Sequence, residues 1–430
     1  MNTICKFADI DIYLLYYLDI KTIIRLCTIS KDQHTLINNL DFVKQIYLLK
    51  PELGEIISFY DNIIDDAAEY NYISLIKWID ESVNEFKYSK AAIDNASTNG
   101  YINILEWFDK SQHEFKYSKY AISGAIENSH IDVLIWFDKS PYEFKYLDYA
   151  VNMASSCGNI KVLEWLSSSE YEFRYCENAI DSAASIGNIN VLNWFANSKY
   201  KFKYTSEAIN AAAGHGHVDV LHWFANSEYE FKYTKDAIKL ASVNGYINVL
   251  DWFANSNYEF KYDECAISQA AGNGHIDVLE WFDKSKYEFK YDKWAIILAC
   301  QNGHIKILEW FDKSKYEFKY CKIAIEVAVQ YGHIKILEWF DKSAYEFKYT
   351  SFLLYLVIYF MNVEIVKWID KSKYEIKYKE EHMYSLFDDQ NEKMIKFLDE
   401  LSYEPNSRIF KLISDHITKI ENQKMHSTKD

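Results

Sequence analysis

Residues 263–291 read DECAISQAAGNGHIDVLEWFDKSKYEFKY. Ala266, Ile267, Ala270 and Ala271 recur at helical spacing, which predicts a short helix with small residues on one side. Gly274 follows as a turn or helix C-cap, where a positive φ is cheap only for glycine. Ile276, Val278, Leu279, Trp281 and Phe282 then cover an arc of about 220° at about 100° per residue, leaving Asp277 and Glu280 on the polar remainder. So wide an arc predicts a helix buried on more than one side, against its own partner and against an adjacent unit. Tyr287, Phe289 and Tyr291 alternate with Glu288 and Lys290, the period of an extended segment. The unit is helix, turn, helix and a short extended connector.

Tryptophan turns this unit into a ruler. Residues 78, 107, 136, 165, 194, 223, 252, 281, 310, 339 and 368 are all Trp, each 29 after the last, and only Trp294 falls outside the series. A fixed period of this size means stacked supersecondary units. The expected fold is an all-α solenoid of about eleven or twelve helix-turn-helix repeats over residues 60–405. The Trp column is expected to be core, so that Trp223→Ala should cost about 3–5 kcal/mol. A unit around Phe397 keeps the spacing but loses the Ala and Gly signature. Residues 406–422 read as a capping helix with Ile409, Phe410, Leu412, Ile413, Ile417 and Ile420 apolar, and 423–430 as a polar, disordered tail.

Ala270-Ala271, Gly274-His275 and the following Ile-x-Val-Leu helix resemble an ankyrin repeat. The turn recurs as Gly216-His217, Gly303-His304 and Gly332-His333, and more loosely as Gly100-Tyr101, Gly158-Asn159, Gly187-Asn188 and Gly245-Tyr246. The resemblance spans some four-fifths of the chain and departs from the family twice. The Thr-Pro-Leu-His opening is absent, with Cys265-Ala266-Ile267-Ser268 in its place. The period is also four residues shorter, which trims the hairpin between units. The Trp-Phe-Asp-Lys-Ser and Tyr-Glu-Phe-Lys-Tyr variants look like ankyrin proteins of giant amoeba viruses. The resemblance implies protein binding without catalysis, and host cytoplasm as the location.

Residues 1–50 carry no such signature. Leu14, Leu15, Leu18, Ile23, Ile24 and Ile29, with Ser30-Lys31, Leu36 and Phe42, are similar to an F-box. That likeness implies a three-helix hook for a Skp-type ubiquitin-ligase adaptor, those six residues dividing between core and adaptor contact. Lys6-Phe7 stands where the family opens Leu-Pro, and Gln33 where a Trp is usual. A plain N-terminal helical cap is the other reading.

Charge narrows the partners. Lys and Arg number 47 against 63 Asp and Glu, a net −16, and only Arg25, Arg174 and Arg408 are arginine. Nucleic acid is not expected, since phosphate neutralisation needs clustered cations. No run of 18 apolar residues predicts a membrane span. Seven cysteines without a CxxC pair fit reduced thiols in the cytoplasm. No cofactor motif is present. The histidines at 217, 275, 304 and 333 stand one repeat apart, roughly 10 Å by helix-packing distance, too far to share an ion. They are expected to make helix-start hydrogen bonds; His215, His217 and His222 are the only close set. Glu280 and Asp283 are expected to pair with Lys284 along the helix.

Function should lie where the units differ. In the ankyrin family the two residues before the turn glycine line a concave groove. Here those positions include Thr98-Asn99, Glu127-Asn128, Ser185-Ile186, His215, Val243-Asn244, Asn273, Gln301-Asn302 and Gln330-Tyr331. Trp294, off the ruler, is a candidate anchor, since Trp is enriched at interface centres. The expected function is a monomeric protein-binding scaffold, as a ubiquitin-ligase substrate receptor or as a passive sequestering or structural array.

Overall fold

The computed structural model describes residues 63–82, 86–379, 407–415 and 418, and among these every regular element is a helix. The six F-box-like residues and the Phe397 unit lie outside the described residues. Two compact units divide the chain at Thr205 and Ser206.

In the first unit the helix pairs are α1 (Ile63–Glu69) with α2 (Ile73–Ser82), α3 (Ala91–Thr98) with α4 (Ile102–Lys110), and α5 (Lys119–Glu127) with α6 (Ile131–Lys139). Then follow α7 (Ala150–Ser156) with α8 (Ile160–Ser168) and α9 (Asn178–Ser185) with α10 (Ile189–Asn197). The second unit continues with α11 (Glu207–Gly214) and α12 (Val218–Asn226), α13 (Asp236–Val243) and α14 (Ile247–Asn255), and α15 (Glu264–Gly272) and α16 (Ile276–Lys284). It ends with α17 (Trp294–Gln301) and α18 (Ile305–Lys313), α19 (Lys322–Gln330) and α20 (Ile334–Lys342), and α21 (Leu353–Tyr359) and α22 (Val363–Lys371). Each unit taken alone is an α-solenoid of stacked helix-turn-helix repeats. The odd-numbered first helices of neighbouring repeats pack far more closely than the even-numbered second helices. Small side chains explain this: Ala266, Ala270 and Ala271 on α15 are fully buried with Ile267.

The core position is the phenylalanine beside the ruler. Val278, Leu279 and Phe282 of α16 are buried, whereas Trp281 is only half-buried. Apart from Trp78, the ruler tryptophans lie at the rim. The expectation of a Trp core is therefore corrected. The reason is helical phase: residue 281 sits at the edge of the apolar arc and 282 at its centre. Trp281 instead joins an aromatic column. Phe260 of the preceding connector stacks on Trp281 at 5.5 Å and on Tyr287 at 4.0 Å, nearly parallel to both. The indole N–H of Trp281 donates to Asp251 at 2.7 Å.

The connectors form no strand among the described residues, and several are bent by a backbone bond across one residue, as from Lys290 N–H to the Glu288 carbonyl at 3.0 Å. Hydroxyl ladders tie them together: the last connector tyrosine donates to a backbone carbonyl one repeat on, as from Tyr262 to Glu288 at 2.6 Å and from Tyr349 to Glu375 at 2.8 Å. Asp283 is corrected as well. It accepts from Tyr316 Oη at 2.9 Å and pairs with Lys315 of the next connector, while Lys284 pairs with Glu280. The Arg408 guanidinium of the helical stretch 408–415 donates to the carbonyl of Ile369 at the end of α22, and Ile409 and Ile413 are buried.

Candidate protein-binding surface

The turn before each second helix fixes where the first helix exposes its side chains. Gly274 takes φ +80°, and a Cβ there would come within 2.8 Å of the His304 ring one repeat on. Glycine is thus required both by conformation and by that ring. Asn71, Ser129 and Met361 occupy the same turn position at positive φ without being glycine. His217, His275, His304 and His333 start the second helices, but their side chains make no cap hydrogen bond. His333 instead donates Nε2–H to the Gln301 carbonyl of the preceding repeat, at 2.9 Å. The expected helix-start bond is corrected: the ring reaches backwards because the glycine opposite leaves room. Burial, with His275 and His333 nearby, pushes the His304 pKa down.

The residues assigned to the groove divide into three groups. The asparagines are a clamp. Asn244 Nδ2 donates to the Gly214 carbonyl at 2.7 Å, Asn273 to Val243 at 3.1 Å, Asn302 to Gly272 at 2.6 Å and Asn99 to Glu69 at 3.3 Å. Asn128 reaches the Gly124 carbonyl of its own helix. The four that reach the preceding repeat satisfy helix-end carbonyls that the helix itself leaves without partners. The residue before the asparagine faces the next repeat's first helix, with matched sizes: Thr98 leans over Gly124, and Leu298 packs on Gly272. Glu127, Ser185, Val243, Gln301 and Gln330 share that half-buried register. His215 is exposed, with Nδ1 on the Ala211 carbonyl at 2.9 Å.

Ile186, Trp294 and Tyr331 form the third group. Ile186 and Tyr331 stand where other repeats have the clamp asparagine, and Tyr331 is 52% exposed. Trp294 opens α17 and is 46% exposed. Sequence reading overlooked further exposed side chains, among them Tyr120 on α5, Met153 on α7, and Phe352 and Tyr359 at α21. The signal was there: residues 120, 149, 294 and 352 share one register, and all four are aromatic where other repeats have Ala, Asn, Asp, Glu, Cys or Ile. In the second unit Phe352 stacks on Tyr355 at 4.8 Å, and Tyr355 on Tyr359 at 5.6 Å. The first-helix face of each unit therefore presents a few uncovered aromatic side chains.

The second-helix side carries different chemistry. An open hollow of about 770 Å³ in the first unit is lined by Ser167, Ser168, Asn190, Asn193, Trp194 and Asn197, among others. Among the described residues no group of three His, Cys, Asp or Glu side chains is placed to hold a metal ion, and no helix is long and apolar enough to cross a membrane. The described cysteines are free thiols, and burial raises the pKa of the Cys300 thiol well above its ordinary range. Set against known proteins, the chain matches no family model and no curated protein.

Proposed function

We propose that the chain is a non-catalytic protein-binding scaffold whose contact surface is the exposed face of its first helices. The observation that carries this reading is Trp294, a tryptophan nearly half in solvent on a helix whose other face is locked in the core. Large amphipathic rings on rigid supports are the usual anchors of protein interfaces, because little side-chain entropy is lost when they are covered. Tyr331 and Phe352, from the next two repeats of the same unit, add to that platform. The likeness of the turn to ankyrin repeats supports the same reading, and with it a cytoplasmic setting. The partner is a protein; no cofactor and no nucleic acid belong to the function.

The likeness of residues 14–29 to an F-box extends the proposal. The scaffold then presents its bound protein to a ubiquitin ligase through a Skp-type adaptor. Affinity capture from host-cell lysate tests both levels. Trp294→Ala should remove a partner that the wild-type chain retains. Deletion of residues 1–50 should remove a Skp-type adaptor and leave that partner in place. An adaptor absent from the intact chain under gentle lysis leaves a sequestering scaffold instead. A set of captured proteins unchanged by Trp294→Ala and Tyr331→Ala together overturns the binding surface.

A further inference from the structure

The first unit carries a second kind of anchor. Tyr120 is 61% exposed and Tyr149 46%, at the same register of neighbouring helices, with Met153 beside Tyr149 on α7. Glu127 is half-buried at the other end of α5, two turns from Tyr120 on the same face. Between them Gly124 is covered by Thr98 of the preceding repeat, so Tyr120 and Glu127 stand at the two ends of a filled seam. Glu127 and Tyr120 both lie near enough to Tyr149 to act electrostatically on its hydroxyl, so the three side chains share one patch.

The one charge of this cluster lies beside bare rings and has no cation partner among the described residues. The connector tyrosines have their own cations: Lys116 lies over Tyr88 at 4.7 Å, Lys145 over Tyr117 at 5.0 Å and Lys261 over Tyr233 at 4.3 Å. Among the described cation–ring pairs none involves Tyr120 or Tyr149. Acidic neighbours are paired too, Asp148 with Arg174 at 2.5 Å and Lys145 with Glu143 at 3.2 Å. Glu127 is in no ion pair among the described residues. Burial pushes its carboxyl up, with no cation to hold it down. A carboxylate withdrawn from water beside two bare aromatic faces is complementary to a positive charge.

We propose that Tyr120, Tyr149 and Glu127 form a receptor for a basic side chain, an arginine or lysine, of the protein that this scaffold binds. The inference rests on the scaffold reading and names the chemistry of its partner. The guanidinium or ammonium lies between the tyrosine rings, and its N–H groups donate to the Glu127 carboxylate. Met153 covers the aliphatic stem, a contact suited to a soft, adaptable side chain.

The test uses the full chain and a labelled twelve-residue Gly-Ser peptide bearing two arginines, against the same peptide with citrulline, which keeps the shape and loses the charge. Fluorescence polarisation should show the arginine peptide binding about tenfold more tightly, the range of one cation–ring contact plus a charge-assisted hydrogen bond. Glu127→Gln and Tyr149→Leu should each abolish most of that difference, with helicity unchanged by circular dichroism. Glu164→Gln, which removes a charge from the exposed surface of α8, should leave it intact. Equal binding of the two peptides overturns the proposal. So does an equal loss in Glu127→Gln and Glu164→Gln, which would mean attraction to the net negative charge only. A failed peptide assay with a partner still released by Trp294→Ala discards this receptor and keeps the scaffold.

Discussion

At the residue scale, adjacent positions have unequal weight. Phe282 is fully enclosed and Trp281 is a rim residue held by one hydrogen bond and by stacking. Phe282→Ala should therefore cost about 3–5 kcal/mol, the range for emptying a large core site. Trp281→Ala should cost clearly less, because water already reaches the ring. Urea unfolding of the two variants checks the order, and equal losses would return the Trp column to the core. The turn position gives a pair of opposite sign. Gly274→Ala forces a Cβ onto the His304 ring at a φ that side chains avoid, and should destabilise by about 1–3 kcal/mol. Ser129 already bears a side chain at φ +63°. Ser129→Gly should accordingly raise the thermal midpoint, by about 0.5–1 kcal/mol of stability.

At the element scale, first helices are joined by a polar pair that no sequence period announces. Ser118, the N-cap of α5, donates its N–H to Asp94 of α3 at 2.8 Å and its hydroxyl to the same carboxylate at 2.5 Å. Ser268 and Asp292 make the reversed pair, hydroxyl on the earlier helix and carboxylate on the later one. Asn210 and Thr234 make an amide version. Asp94→Ser leaves the Ser118 N–H poorly satisfied and should cost about 1–3 kcal/mol. Adding Ser118→Asp should recover most of that loss, and a double-mutant cycle by chemical denaturation reads the coupling directly. A doubly changed chain as unstable as the sum of its parts would refute the pairing. The same contrast shows what the sequence made legible. The helix pairs, the glycine turns and the apolar arcs follow from local spacing, so they could be read. The Asp94–Ser118 pair, the Asn302 clamp and the packing of Leu298 on Gly272 join residues 24 to 30 apart whose identities change between repeats. Periodicity shows that such residues vary but not whether a neighbour or a ligand meets them. That is why Asn302 read as groove lining and proves to be a clamp, while Tyr120, hidden among changeable positions, is bare.

At the scale of the whole molecule, repetition turns a small titration into a large one. Burial, before nearby carboxylates, pushes the connector tyrosines Tyr88, Tyr233 and Tyr291 up to about 12, from an ordinary value near 10. Tyr142 and Tyr171 are raised to about 12 as well, each also donating to an aspartate. A folded-state value above the unfolded one means that the unfolded chain loses these protons first as pH rises. The stability they carry is complete below about pH 10 and is lost as pH climbs toward 12. Each ring belongs to a column shared with the next repeat, so one ionisation loosens two repeats, and nearest-neighbour coupling spreads the loss along a unit. The expected outcome is a steep alkaline transition in which tyrosinate absorbance and loss of helical circular dichroism coincide. His304 acts in the opposite direction on the acid side. Its folded pKa is depressed, so the unfolded chain takes up the proton first, and stability falls as pH drops through about 6.5 toward the folded value. Replacing Tyr291 by Phe removes one ionisable rung while keeping its ring and should shift the alkaline transition of the second unit upward in pH. It should also lower stability at neutral pH, where the hydroxyl bond to the Glu317 carbonyl is lost. Tyrosines that titrate smoothly near pH 10, with helicity unchanged, would show that the aromatic column is solvated surface and that the repeats are held together by their first helices alone.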